Sequence, residues 1–269
     1  MTRAPLILAA ALGIALAAAA PAQTIAERVA RAPDGTVHLS YAARAGVCGN
    51  GRGVISFHCA NGNCGDRRVS TDADWQDDDA ACPCESGPVR LALQVSEGRA
   101  VRVRTYVGGH WREGVAGVTD LGTVPAADAA RYLLDLARTG DGRAGEDAIF
   151  PATLADSVTV WPDLVRVARD SSVRGHVRNQ AVFWLAEAAG DAATKDLTDM
   201  VNDDTVYRDV REHAVFALSQ EPRDVGVPAL IQIARTNRNP EVRKKAFFWL
   251  GQTHDPRALA LFEEVLTKP

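Results

Sequence analysis

One stretch of this chain returns at a fixed spacing, and that return limits the folds open to its C-terminal half. Val177-Arg178-Asn179-Gln180-Ala181-Val182-Phe183-Trp184-Leu185 comes back as Val210-Arg211-Glu212-His213-Ala214-Val215-Phe216-Ala217-Leu218. It comes back again as Val242-Arg243-Lys244-Lys245-Ala246-Phe247-Phe248-Trp249-Leu250. The offsets are 33 and 32 residues, inside the range in which a fixed period signals stacked structural units. A fainter copy, Ala148-Ile149-Phe150, lies 33 residues ahead of Ala181. At about 100° per residue, Val177, Ala181 and Leu185 fall on one helix face. That face needs a first helix to pack on. Suitable segments precede each copy: Leu164 to Arg169, Asp196 to Val201 and Val227 to Arg235. A lone helix pair cannot bury the stripe on both sides, so the units are expected to stack.

Gly190-Asp191, Glu221-Pro222-Arg223-Asp224 and His254-Asp255-Pro256 break the chain between helices. Asn239-Pro240-Glu241-Val242-Arg243-Lys244-Lys245-Ala246 and Asp255-Pro256-Arg257-Ala258-Leu259 complete a turn-plus-helix pattern. These residues resemble HEAT repeats of the short bacterial type, from about Ala129 to the end of the chain. The resemblance implies an α-solenoid that acts as a binding scaffold. It implies no reaction. Pro151 departs from the pattern because it removes a backbone donor where the helix should continue. The first unit is therefore expected to be a degenerate junction with what precedes it. Arg178, Arg211 and Arg243 recur at one position, and pairing with the turns is favoured over ligand binding.

Phe183, Phe216 and Phe248 also share a position, two residues beyond the alanine, and Phe150 could begin the row. Two residues turn about 200° around a helix, which points each ring away from the Ala/Leu face. With neighbouring units about 10 Å apart, an exposed ladder of rings would mark a partner-binding surface. The alternative is burial inside the chain. Trp184 and Trp249 are expected to pack between units.

Before the repeats lies a different kind of sequence. Val89 to Val95 and Val101 to Val107 alternate apolar and polar residues and are joined by Ser96-Glu97-Gly98-Arg99, a hairpin signal. Thr36 to Tyr41 and Gly53 to His58 read as two further strands, with the arginines of the hairpin on a wet face. Val107 to Trp111 and Asp120 to Pro125 read as loop. The fold class is thus α+β, with a small Cys-containing β domain over 23–122 followed by helix pairs over 125–269.

All five cysteines fall in the first of these regions: Cys48, Cys59, Cys64, Cys82 and Cys84. Disulfides are the leading reading, with Cys59 and Cys64 closing a small loop and Cys48 pairing with Cys82 or Cys84. An odd thiol remains, and spacing alone does not give the connectivity. The alternatives are a metal site drawing on His58, Cys59, Cys64, Cys82 and Cys84, and a redox centre at Cys82-Pro83-Cys84. Asp72 to Asp79 is dense in carboxylates but lacks the spacing of a calcium loop. It reads as a solvated acidic segment.

Residues 1–22 read as a signal peptide: Arg3, an Ala/Leu run, then Ala20-Pro21-Ala22. Its removal takes away Arg3 and moves the net charge from −4 to −5. A mildly acidic chain lacks the basic patch of a nucleic-acid binder. The expected setting is periplasmic or secreted, with no membrane span after cleavage. Nucleophile elbow, zincin, Walker and dinucleotide fingerprints are all missing, so no enzyme and no cofactor is expected. The resulting expectation is an exported scaffold for a protein or peptide in the cell envelope, with a thiol-redox or metal-binding role as the alternative.

Overall fold

The computed structural model describes residues 23–57, 59–60, 63–64, 68–70, 84–111, 116–141, 143–189 and 193–267. The expected signal peptide, His58, the acidic segment from Asp72 to Asp79, Cys82 and the Gly190-Asp191 breaker lie outside these residues. The chain opens with α1 (Ile25–Arg31), then β1 (Gly35–Tyr41), β2 (Cys48–Gly49), β3 (Val54–Ser56) and β4 (Cys59–Ala60). Next come β5 (Asn63–Cys64), β6 (Arg68–Ser70), β7 (Val89–Ser96), β8 (Arg99–Val107) and β9 (Val118–Thr123). The helices that follow are α2 (Ala126–Thr139), α3 (Ala144–Thr153), α4 (Trp161–Arg169), α5 (Gly175–Ala189) and α6 (Ala193–Asn202). They continue as α7 (Arg208–Gln220), α8 (Arg223–Thr236), α9 (Pro240–Thr253) and α10 (Pro256–Thr267).

The principal sheet is mixed, in the order β8-β7-β1-β9. Alternation gives it one buried face, on which Val37, Leu39 and Tyr41 meet Leu93, Leu91 and Val89 across the β1–β7 register. The β7–β8 hairpin turns through Glu97 and Gly98, both at positive φ, the pair a two-residue turn of primed type needs. A side chain at Gly98 would also stand 2.9 Å from the carbonyl oxygen of Ala30 in α1. Only glycine fits there.

Two strand expectations require correction. The residues 118–123, read largely as loop, form β9 and pair parallel to β1. They do not alternate and lie on an edge, so backbone hydrogen bonds rather than a buried face hold them, and no period appears in their sequence. Val54–Ser56 belongs not to the main sheet but to a separate antiparallel sheet, β2-β3-β6.

The helices form two rows. One row runs α2, α4, α6, α8, α10, and the other runs α3, α5, α7, α9, each helix packing on its neighbour and across to the other row. The repeated stripe explains the pairing: Val177, Ala181 and Leu185, and their counterparts at 210, 214, 218 and 242, 246, 250, are all buried. No helix among the described residues is long and apolar enough to cross a membrane.

Pro151 lies inside α3, one turn from its end, and is buried at the contact between sheet and helices. The Tyr41 hydroxyl donates to the Pro151 carbonyl at 2.6 Å. Burial pushes the Tyr41 phenol well above its ordinary pKa, which keeps it a neutral donor. The backbone of Arg44 donates to Leu154, and that of Asp156 donates to Ala42. Asp147 of α3 caps the free edge of β8 by accepting from the Arg102 side chain and the Val103 backbone. Sheet and helices consequently share one continuous apolar core.

Candidate functional site

The aromatic row forms, but its members differ in cover. Phe150 is buried between Trp184, 4.6 Å away by ring centroids, and Phe57, at 6.2 Å, from the β3 segment. Phe216 is half-buried against Trp249 at 4.9 Å. Phe183 is 38% exposed and Phe248 is 55% exposed. The sequence explains the alternation. Each signature tryptophan covers the phenylalanine of the preceding unit, so Trp184 covers Phe150 and Trp249 covers Phe216. Ala217 stands where the next tryptophan would cover Phe183, and α10 carries no such residue for Phe248. A continuous ladder is therefore not what the chain presents. Two separated rings, Phe183 and Phe248, face outward.

The repeated arginines turn inward. Arg178 donates to the Val173 carbonyl, lies over the Tyr207 ring at 4.2 Å and approaches Asp209 of the next unit. Arg211 pairs with Asp204 at 2.7 Å, and Arg243 donates to the carbonyls of Asn237 and Arg238. Each holds the turn that precedes its own helix. His176 pairs with Glu146 and His213 contacts the Asp209 carbonyl, both at the surface.

Among the cysteines, Cys48 and Cys84 form a disulfide. This takes Cys84 out of both the five-residue metal set and a Cys82–Cys84 pair. Cys59 and Cys64 are register partners across β4 and β5, which is a statement about their backbones alone. Among the described residues no group of three or more His, Cys, Asp or Glu gathers as a metal site.

The disulfide contributes to a second site, on the outer face of the main sheet, that the sequence did not reveal. It ties β2 to the segment before β7, where Gly49 and Glu85 exchange two backbone hydrogen bonds of 3.0 and 2.8 Å. The Glu85 carboxylate then accepts from the Gly109 backbone at 2.8 Å. Gly108 has φ +72°, and a side chain there would stand 2.8 Å from the Gly49 carbonyl oxygen, so these loops meet only through glycine. They form one wall of a cleft of roughly 830 Å³ above the sheet.

Arg90 sits at the base of this cleft. Alternation along β7 assigns it to the wet face, yet it is 4% exposed. Its guanidinium donates to the carbonyls of Gly108 and Gly51 and lies 4.7 Å from the Trp111 ring and 5.7 Å from that of Tyr106. Trp111 in turn stacks on His38, with centroids 3.7 Å apart and planes 10° from parallel. Burial lowers the His38 pKa; Asp120 opposes that shift and Arg90 adds to it. Arg52 and Arg104, both exposed, line the same cleft.

Comparison with known proteins found no match among family models, curated proteins or solved structures.

Proposed function

We propose that this chain is an exported, non-catalytic scaffold whose helix pairs form a HEAT-like solenoid that binds a protein or peptide in the cell envelope. The observation that carries the reading is the pair of outward rings, Phe183 and Phe248, on one row of helices. Phe57 supplies an internal example of what such a face accepts, because it seats its ring against Phe150 and Trp184 of that same row. A partner with a large apolar side chain would use the same chemistry at Phe183, where Ala217 leaves the ring without a tryptophan cover. Aromatic residues in such positions carry much of the energy of known interfaces. The Cys48–Cys84 disulfide suits an oxidising compartment and supports the export reading.

Site-specific photocrosslinking tests the proposal. A photoreactive phenylalanine analogue is placed at 183 or 248 in the full chain, in envelope preparations, with Lys195 on α6 as control. A discrete adduct shared by 183 and 248 and missing from 195 is expected. No adduct, or the same adducts from all three positions, overturns it.

A further inference from the structure

We propose that the cleft on the outer face of the sheet is a binding site for a small ligand that joins an oxyanion, carboxylate or phosphate, to a flat ring. The argument begins with charge. Arg90 is a buried cation that meets two carbonyls and two rings but pairs with no carboxylate among the described residues. Its Nε is buried and has no hydrogen-bond acceptor. Placing a guanidinium away from water costs free energy that carbonyls offset only in part, and a bound anion would complete the compensation.

The surroundings reinforce this. Arg52 and Arg104 stand at the same cleft, neither is ion-paired among the described residues, and no acidic residue lines it. Three cations around one concavity with a low-dielectric wall focus a positive field on it. Guanidinium groups also match the geometry of carboxylates and phosphates.

Trp111, Tyr106, His38 and His110 supply the rest of the lining. Stacked rings of this kind offer flat apolar surface, and the cleft falls within the size range of small-molecule sites. The site is also held in place. The disulfide, the Gly49–Glu85 bonds and the Arg90 clamp fix three loops relative to the sheet before any ligand arrives. Such preorganisation lowers the cost of binding.

Calorimetric titration of the full chain with phenyl phosphate and with benzoate tests the proposal, alongside the arginine Nε–H signals in a ¹H–¹⁵N spectrum. Saturable binding that moves the Arg90 Nε–H signal is expected, and the tighter probe identifies the head group. The double variant Arg52→Ser, Arg104→Ser removes two exposed side chains, so its melting temperature should stay unchanged. Its affinity should fall about tenfold or more, since each lost charge-assisted contact is worth roughly that factor. Failure of both probes to saturate, equal binding of uncharged benzyl alcohol, or undiminished affinity in the double variant overturns the site.

Discussion

The Tyr41 hydroxyl reaches the Pro151 carbonyl across 110 residues of sequence, at 2.6 Å and fully buried. It joins the last residue of β1 to a proline that interrupts the donor pattern of α3. The carbonyl has one other donor, the Leu154 backbone at 3.1 Å. Tyr41→Phe keeps the ring and removes the bond. The expected loss is about 1 kcal/mol, measured by denaturant unfolding with near-ultraviolet and far-ultraviolet signals changing together. Two separated transitions would show that sheet and helices do not fold as one unit.

The uneven cover of the aromatic row gives graded costs. Phe150→Ala should lose about 3 to 5 kcal/mol, because Phe57 and Trp184 would enclose the resulting cavity. Phe216→Ala, beneath one tryptophan, should lose about 2 kcal/mol. Phe183→Ser should stay within about 0.5 kcal/mol. Equal losses at all three positions would contradict the pairing of each tryptophan with the preceding unit.

The Cys48–Cys84 bridge closes a loop of 36 residues by sequence separation. Loop-closure entropy puts its contribution at about 3 to 4 kcal/mol. Cys84→Ser should lower the melting temperature in oxidising buffer to that of the reduced wild-type chain. An unchanged melt would mean that Cys48 pairs elsewhere in solution.

Acid should weaken one unit boundary. Asp203 accepts from the Thr205 hydroxyl and backbone and pairs with Arg169 at 2.7 Å. Those bonds, with the Thr205 hydroxyl leading, bring its carboxyl from 3.8 down to about 2. A pKa depressed in the folded state stabilises fully above the unfolded value, and the benefit is lost as pH falls through the folded one. The loss therefore falls between about pH 4 and pH 2. Asp203→Asn should flatten that part of the stability profile, and carbon NMR of the wild-type carboxyl should titrate near 2. A midpoint near the ordinary 3.8 would refute it.

The repeat was legible because its physics is local. Alanine and leucine at helical spacing define a buried stripe wherever the helix docks, and Val177, Ala181 and Leu185 are buried as their period requires. Strand β9 was not legible, since pairing by backbone leaves no side-chain signature.

Burial of the outer-face residues was decided by tertiary structure alone. Period along β7 assigns Arg90 to the solvent side, and locally it is correct, for Arg90 lies opposite the core face. Trp111, folded over it from beyond β8, makes it a buried cation, and no pattern within β7 carries that information. The same holds for the phenylalanines. Their shared position was set by the sequence, but whether each ring is covered depends on its neighbour: Trp184 for Phe150, Trp249 for Phe216, and Ala217 beside Phe183. Helix period fixes a direction, whereas exposure depends on what the rest of the chain brings to that direction.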